Sequence, residues 1–518
     1  MTSLSIYTDL SRAQGSERRI AALTHVCENF DHNDEVKHNV ELSQGSVQVL
    51  AKCLLVATND DEFRMICAAL EMVLRGSPRA VQLEYTKVGG APLLTNVLRV
   101  LERCQSNRMK HAEISTLNIS KIVLHLSRCS DLRIQMCRQQ GVLDSLIGVT
   151  TDQDCRLARI NALANLANCQ ENKVVMYKHE GLVQSIARIA HVDTSDLIRQ
   201  YAGSALMELA SAPDNQVAMA NDDAVLGTLV KMTVFEKSTT TREFVITALQ
   251  NMAFAKENRF RLVSFKDGVL LEALKKALSF DMDAKARRRA AGALTNLVCE
   301  ETAELMGSQR GLLESLAIAS NKDNNPDVQR RASLALTKIA NLITVNMECH
   351  EALLDALVVA SLSKSANSVS GVLRVKARDP ENREVMARHP GVIDTLTDIC
   401  ISPGSKVPDR DNAIRAITHL INEDKNRKVL CNKTVLDALV AVGNYQEPLL
   451  EEARDSAIRA MERLATEFVN RESMARHPGL LTVVAKAVER EAVMEDTGKE
   501  SDHGYLAKPL LMSLLVAM

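Results

Sequence analysis

Apolar residues recur at helical spacing along most of the chain, and the pattern itself recurs. Between Gly141 and Glu180, Val142, Leu143, Leu146 and Ile147 fall on one face of a helix that a polar turn from Thr150 to Asp154 closes. A longer helix follows, with Leu157, Ile160, Leu163 and Leu166 on its apolar face and Ala158, Ala162, Ala164 and Ala167 allowing close helix approach. Glu171-Asn172 then leads into a short helix that ends at Gly181, where glycine accepts a left-handed corner cheaply. Residues 382–391 (Asn-Arg-Glu-Val-Met-Ala-Arg-His-Pro-Gly) return at 470–479 with one change, 88 residues later, or two units of 44. Unit starts fall near 45, 90, 141, 181, 224, 268, 311, 352, 391 and 434, which gives ten units over 45–478. No alternating strand pattern interrupts them, so the expectation is an all-α array.

The ends differ from the middle. Residues 1–44 read as a degenerate N-terminal capping repeat, with Ala22-Leu23-Thr24-His25-Val26 in its helix. Residues 479–518 read as a partial C-terminal cap: a helix over Leu480 to Arg490, an acidic loop over 491–503, and an apolar helix from Leu506 to Met518. The unit 352–390 is short, polar from Ser361 to Ser370, and carries Val375-Lys376 where other units carry Asn-Leu.

A three-helix unit of this length with a glycine corner and an Ala-Leu-x-Asn-Leu core resembles the armadillo repeat. The motif stands at Ala162 to Leu166, Ala248 to Met252 and Ala293 to Leu297. The resemblance implies a right-handed superhelical solenoid of about ten three-helix repeats with degenerate caps; a two-helix HEAT array is the nearest alternative. It also implies that the long third helix of each unit lines a concave groove. With the motif Asn taken as zero, positions −4 and −7 lie within about 40° of it on a helix. The resulting candidate groove residues are Asn161, Asn165, Tyr201, Phe244, Asn251, Arg289, Asn296, Arg331, Lys338, Arg415, His419, Arg459 and Arg463. Arg287, Arg288 and Arg330 reinforce the column at neighbouring angles. It begins with amides and aromatics and turns basic from Arg289 onward.

Composition narrows the functions available. The net charge is −2, so any nucleic-acid or lipid site has to be a local patch. The twelve cysteines form no CxxC pair and read as reduced, mostly buried thiols of a cytoplasmic or nuclear protein. No apolar run approaches the ~20 residues of a spanning helix, and membrane insertion is not expected. Phosphate-loop, dinucleotide, nucleophile-elbow and HExxH motifs are absent, and the twelve histidines do not pair at ligand spacing. The expectation is a non-enzyme with no cofactor and no metal, and His389 and His477 serve as turn residues. The basic stretch Arg103 to His111 reads as a solvated loop.

In armadillo proteins such as beta-catenin and importin-alpha, groove asparagines hold the backbone of an extended peptide, since an amide offers both donor and acceptor. Importin-alpha also places Trp four residues before each Asn; here those sites are Asn161, Thr247 and Gly292, and the chain has no Trp. A basic groove without Trp implies an adaptor for an extended acidic or phosphorylated segment of a protein. The competing readings are a scaffold or co-chaperone subunit that holds folded partners by its outer surfaces and ends, and, well behind, single-stranded RNA binding, for which only Tyr201 and Phe244 are available to stack. The sequence leaves partner identity and homo-oligomeric state open.

Overall fold

The computed structural model describes residues 15–29, 46–57, 59–76, 112–343, 351–362, 369–446, 450–496 and 506–518. The unit starts near 45 and 90, the stretch Arg103 to His111, and most of the polar run 361–370 lie outside them. The described residues are helical, with no strand. They form two compact units, 1–261 and 262–518.

In the first unit the long helices Ser16–Asn29, Asp60–Gly76, Ala112–Arg128, Gln153–Ala167, Asp196–Ala210 and Thr239–Met252 form one row, each packed on the next. Helices Val142–Ile147, Leu182–Val192 and Asp223–Phe235 form a second row, and the short helices Ser130–Arg138, Gln170–Lys178 and Pro213–Asn221 a third. The second unit repeats the scheme. Its long row is Ala284–Leu297, Pro326–Leu342, Val369–Arg378, Val407–Ile421, Glu451–Ala465 and Ala507–Leu515. Its middle row runs from Val269–Phe280 through Leu312–Lys322, Glu351–Ser361, Val392–Ile401 and Lys433–Gly443 to Leu480–Asp496.

The local reasons are visible at each turn. Gly141, Gly181, Gly268, Gly311, Gly391 and Gly479 hold φ between 70° and 90°, a left-handed corner that side chains with a Cβ rarely adopt, and each opens a middle-row helix. Where the corner is not glycine, a side chain caps: Asp222 accepts from Ala224 and Val225 N–H groups at 3.0 Å, and Asn432 from Val435 N–H at 3.0 Å. Alanines such as Ala162, Ala167, Ala202, Ala290 and Ala332 are fully buried between rows, which lets the helices approach closely. At Gly443 an added Cβ would lie 2.3 Å from Val483 Cγ1, so neighbouring middle-row helices nearly touch there.

Two expectations change. Helix Leu480–Asp496 continues through the residues read as the start of an acidic loop, because Ala492 and its acidic neighbours propagate a helix well. The remainder of that loop, 497–503, lies outside the described residues. Glu491 is structural, since its carboxylate accepts from the Leu506 and Ala507 N–H groups at 3.0 Å and so caps the last helix. That helix buries Ala507, Leu510 and Leu514 against its own end of the array and leaves Met512, Leu515 and Val516 exposed.

Candidate functional site

The geometry of each long helix separates side chains that hold the array from those that face outward. Nine residues before the motif Asn stands an arginine in most units. Arg156, Arg199, Arg242, Arg287, Arg410 and Arg454 each donate to a carbonyl in the turn before their own helix, at 2.6–2.9 Å. Pairs with an acid one repeat ahead join Arg156 to Asp193 (2.8 Å), Arg199 to Glu236 (2.7 Å) and Arg287 to Asp323 (2.6 Å). The bond to Asp323 raises the Arg287 pKa above the ordinary guanidinium value. Arg287 therefore ties turns together and does not reinforce the groove, a correction that follows from its angle toward the turn.

A second lattice lies on the short helices. Asn172, Asn215, Asn258, Asn426 and Asn470 are buried, and each Nδ2 donates twice. One bond goes to the carbonyl six residues earlier: Leu166, Leu209, Met252, Leu420 and Leu464. The other reaches a carbonyl of the preceding repeat: Arg133, Lys173, Gln216, Arg383 and Arg427. By sequence alone Glu171-Asn172 marks only a turn. The available signal was the recurrence of Asn at that place, at 215, 258, 426 and 470.

In the first unit the candidate column is drawn into neighbouring repeats. Asn165 Nδ2 donates to Ser127 Oγ at 3.0 Å and Asn251 Nδ2 to the Met207 carbonyl at 3.4 Å. Glu208, at the equivalent position, accepts from Lys173 Nζ at 2.9 Å. Asn161, Tyr201 and Phe244 are half-buried, while Ala158 and Thr247 of the same column are buried.

The second unit differs. On consecutive long helices Arg288 and Arg289 stand near Arg330 and Arg331. Burial pulls the Arg331 pKa below its ordinary value, and the charges of Arg288, Arg330 and Arg289 push the same way, opposed by Asp327. Arg330 is bound to that carboxylate at 3.1 Å. Arg331 Nε is buried with no hydrogen-bond partner among the described residues, and so is Asn296 Nδ2. Gly292, between Arg289 and Asn296 on their helix, is buried, and Lys338, on the same helix as Arg331, is exposed.

A second cationic group surrounds His419. Burial lowers its pKa, and Arg383, Arg378, Arg374 and Arg415 lower it further, in that order. Arg415 also pairs with Asp411 (2.8 Å) and with Glu452. Arg374 and Arg378 were missed as candidates because the Val375-Lys376 departure made their helix look merely degenerate, and Arg383 because it stands on the short helix that follows. Farther on, Arg459 donates within its own helix, to Asp455 O and Ser456 Oγ (both 3.4 Å), and Arg463 is exposed with Glu462 3.7 Å away.

Among the described residues no group of three or more His, Cys, Asp or Glu could hold a metal ion, and no helix is long and apolar enough to cross a membrane. Burial pushes the thiols of Cys137 and Cys400 up to about 12 and those of Cys27 and Cys431 to about 11, so none is a ready thiolate nucleophile. His389 and His477 end short helices, 3.3 and 3.1 Å from Asp355 and Asp437 of the preceding middle-row helices.

No family model matches the sequence, and no curated protein matches it. Solved structures do resemble it. A chain from work on a conserved phosphorylation switch controlling the interaction between cadherin and beta-catenin is similar over 99% of both chains, at 14% identity and a TM-score of 0.57. An engineered protein is similar over 90% of this chain and 99% of its own, at 20% identity and a TM-score of 0.54. With the three rows of helices and the glycine corners, these likenesses show that the fold is an all-α, armadillo-type helical repeat.

Proposed function

We propose that the chain is a protein-binding scaffold whose second unit grips an extended acidic or phosphorylated segment of a partner. The observation that carries this reading is the cluster of Arg288, Arg289, Arg330 and Arg331, in which Arg331 Nε and the nearby column residue Asn296 have buried N–H groups with no acceptor among the described residues. Arg288, Arg289 and Arg331 are half-buried and Arg330 is exposed, and a carboxylate or phosphoryl group neutralises the charge that these neighbouring guanidinium groups gather. The amide of Asn296 suits a peptide carbonyl beside it. The arginines about His419 offer a second group of positive charge for the same segment. The fold likeness to a chain studied with cadherin and beta-catenin is consistent with protein binding. In the first unit, Asn165, Glu208 and Asn251 are engaged by neighbouring repeats, which favours the scaffold reading for that unit.

The test is Arg288→Glu with Arg331→Glu in the full chain, after checking that helicity and melting temperature are retained. Co-purification supplies the partner, and affinity is then measured for its acidic segment. Charge-assisted contacts of this kind contribute about 1.5–3 kcal/mol each, so reversing two weakens binding by well over roughly tenfold and flattens its salt dependence. Unchanged affinity and salt dependence in a folded variant would overturn the reading, because solvated surface arginines give almost nothing.

A further inference from the structure

A column of apolar side chains lies exposed along the first unit, apart from its long-helix column. The arginine that donates back to the turn fixes the alignment of successive repeats at the corner between middle-row and long helices. Counted from Arg156, Arg199 and Arg242, the residue seven positions earlier is Val149, Val192 and Phe235. These are 89%, 63% and 76% exposed, so none contributes to a core. A cleft of about 400 Å³ opens beside Val149 and Val192, and one of about 350 Å³ beside Phe235. Both are lined by Asp193 and Thr194, so the two clefts adjoin along the corner edge.

The charge on this edge is net positive once internal pairs are taken out. Asp193 is held by Arg156, and Asp196 and Glu236 are both held by Arg199. Arg188 lines the first cleft, and Lys231 and Lys237 the second. All three are exposed, and their side chains make no ion pair or hydrogen bond with a described residue. Val149, Val192 and Phe235 are one repeat apart. Packed helices sit about 8–10 Å from each other, and a chain extended as a polyproline II helix has about three residues per turn and advances about 3.1 Å per residue, so every third side chain lies on one face. One repeat therefore corresponds to about three residues of an extended ligand.

We propose that this corner edge is a second docking surface, which takes an extended acidic segment of a partner protein with an apolar side chain at every third position. The apolar groups pack beside Val149, Val192 and Phe235 over the clefts, and carboxylates between them meet Arg188, Lys231 and Lys237. The surface is independent of the arginine cluster of the second unit.

The probe is a short acetylated, fluorescent peptide with leucine or phenylalanine at every third position and aspartate or glutamate between, titrated into the full-length protein. Two controls accompany it: the same residues with the threefold spacing scrambled, and the same spacing with lysine for each acid. Val192→Ser with Phe235→Ser, and separately Arg188→Glu with Lys231→Glu, alter exposed side chains and are expected to keep the melting temperature. Saturable binding of the first peptide, weakened at least about tenfold by either control and by either pair of substitutions, but unaffected by Arg288→Glu with Arg331→Glu, is the expected result. Absence of saturable binding, equal binding of the scrambled peptide, or dependence on Arg331 in place of Phe235 would overturn the proposal. Binding to phosphatidylserine vesicles, or self-association, that Phe235→Ser abolishes would assign the edge to a lipid surface or to a second copy, and would overturn it equally.

Discussion

At the scale of single residues, the buried asparagines of the short helices do more for the array than the exposed column does. Asn426 has both N–H groups occupied, by the Leu420 and Arg383 carbonyls at 3.0 Å, and one of those acceptors lies 43 residues away. Asn426→Ala removes two buried bonds to backbone carbonyls, one of them between repeats, and the expected cost is about 2 kcal/mol, read as a lower melting temperature. Asn165→Ala removes one bond to a serine hydroxyl at a half-buried site and should cost about 1 kcal/mol or less. Equal losses in the two variants would refute the distinction. His419 provides a pH signature. Burial and four arginines hold its folded pKa below the ordinary value of 6.5, whereas the unfolded imidazole titrates there. The unfolded state then binds the extra proton, and stability declines as pH falls below about 6.5. His419→Gln should flatten that part of the profile; an unchanged profile would show that the histidine is not perturbed.

At the scale of elements, helix Val369–Arg378 is the irregular one. It has 10 residues where other long-row helices from Gln153 to Ala465 have 14–17. It packs more extensively on the helix that follows than on the one before. At the position that leucine fills elsewhere, Lys376 is buried and donates to the Ile343 carbonyl, while Val375, in the place of the motif Asn, is 49% exposed. Burial lowers the Lys376 pKa from its ordinary 10.5. The unfolded chain keeps that proton to higher pH, so the penalty is full at neutral pH and eases as pH rises toward about 10.5. Lys376→Met is expected to raise stability at pH 7 by about 1 kcal/mol and to remove that alkaline gain. Amides of 369–378 should also exchange faster than those of Val407–Ile421, and uniform protection across both would contradict a weakened interface.

At the scale of the molecule, stability comes from neighbour-to-neighbour contacts repeated along each unit. The division between the two units falls inside the helix Arg259–Ser264 and coincides with no linker. A truncation ending near residue 310 should remain helical and soluble once its new end is capped with a polar helix. Complete loss of helicity there would count against an array. The net charge of −2 also misdescribes the surface, since local groups of arginine coexist with paired acids elsewhere. Ligand affinity should accordingly follow local substitutions and ionic strength more closely than total charge.

The helical class and the glycine corners were legible in the sequence because they depend on spacing within about forty residues, where helical periodicity and the left-handed conformation leave direct marks. The basic turn of the long-helix column from Arg289 onward was legible for the same reason. Which polar residues are engaged was not. Asn165 and Asn251 look like Asn296 in the motif, yet the first two reach a partner in the preceding repeat and the Nδ2 of the third is buried without one. Arg287 and Arg288 are adjacent in sequence, yet Asp323 of the next repeat claims only Arg287. The arginines around His419 come from three helices, and the apolar corner column is apparent only when burial is known. A hydrogen bond or an ion pair is settled within a few tenths of an ångström, and the distances between repeats are set by packing, which the helical pattern of one repeat does not contain.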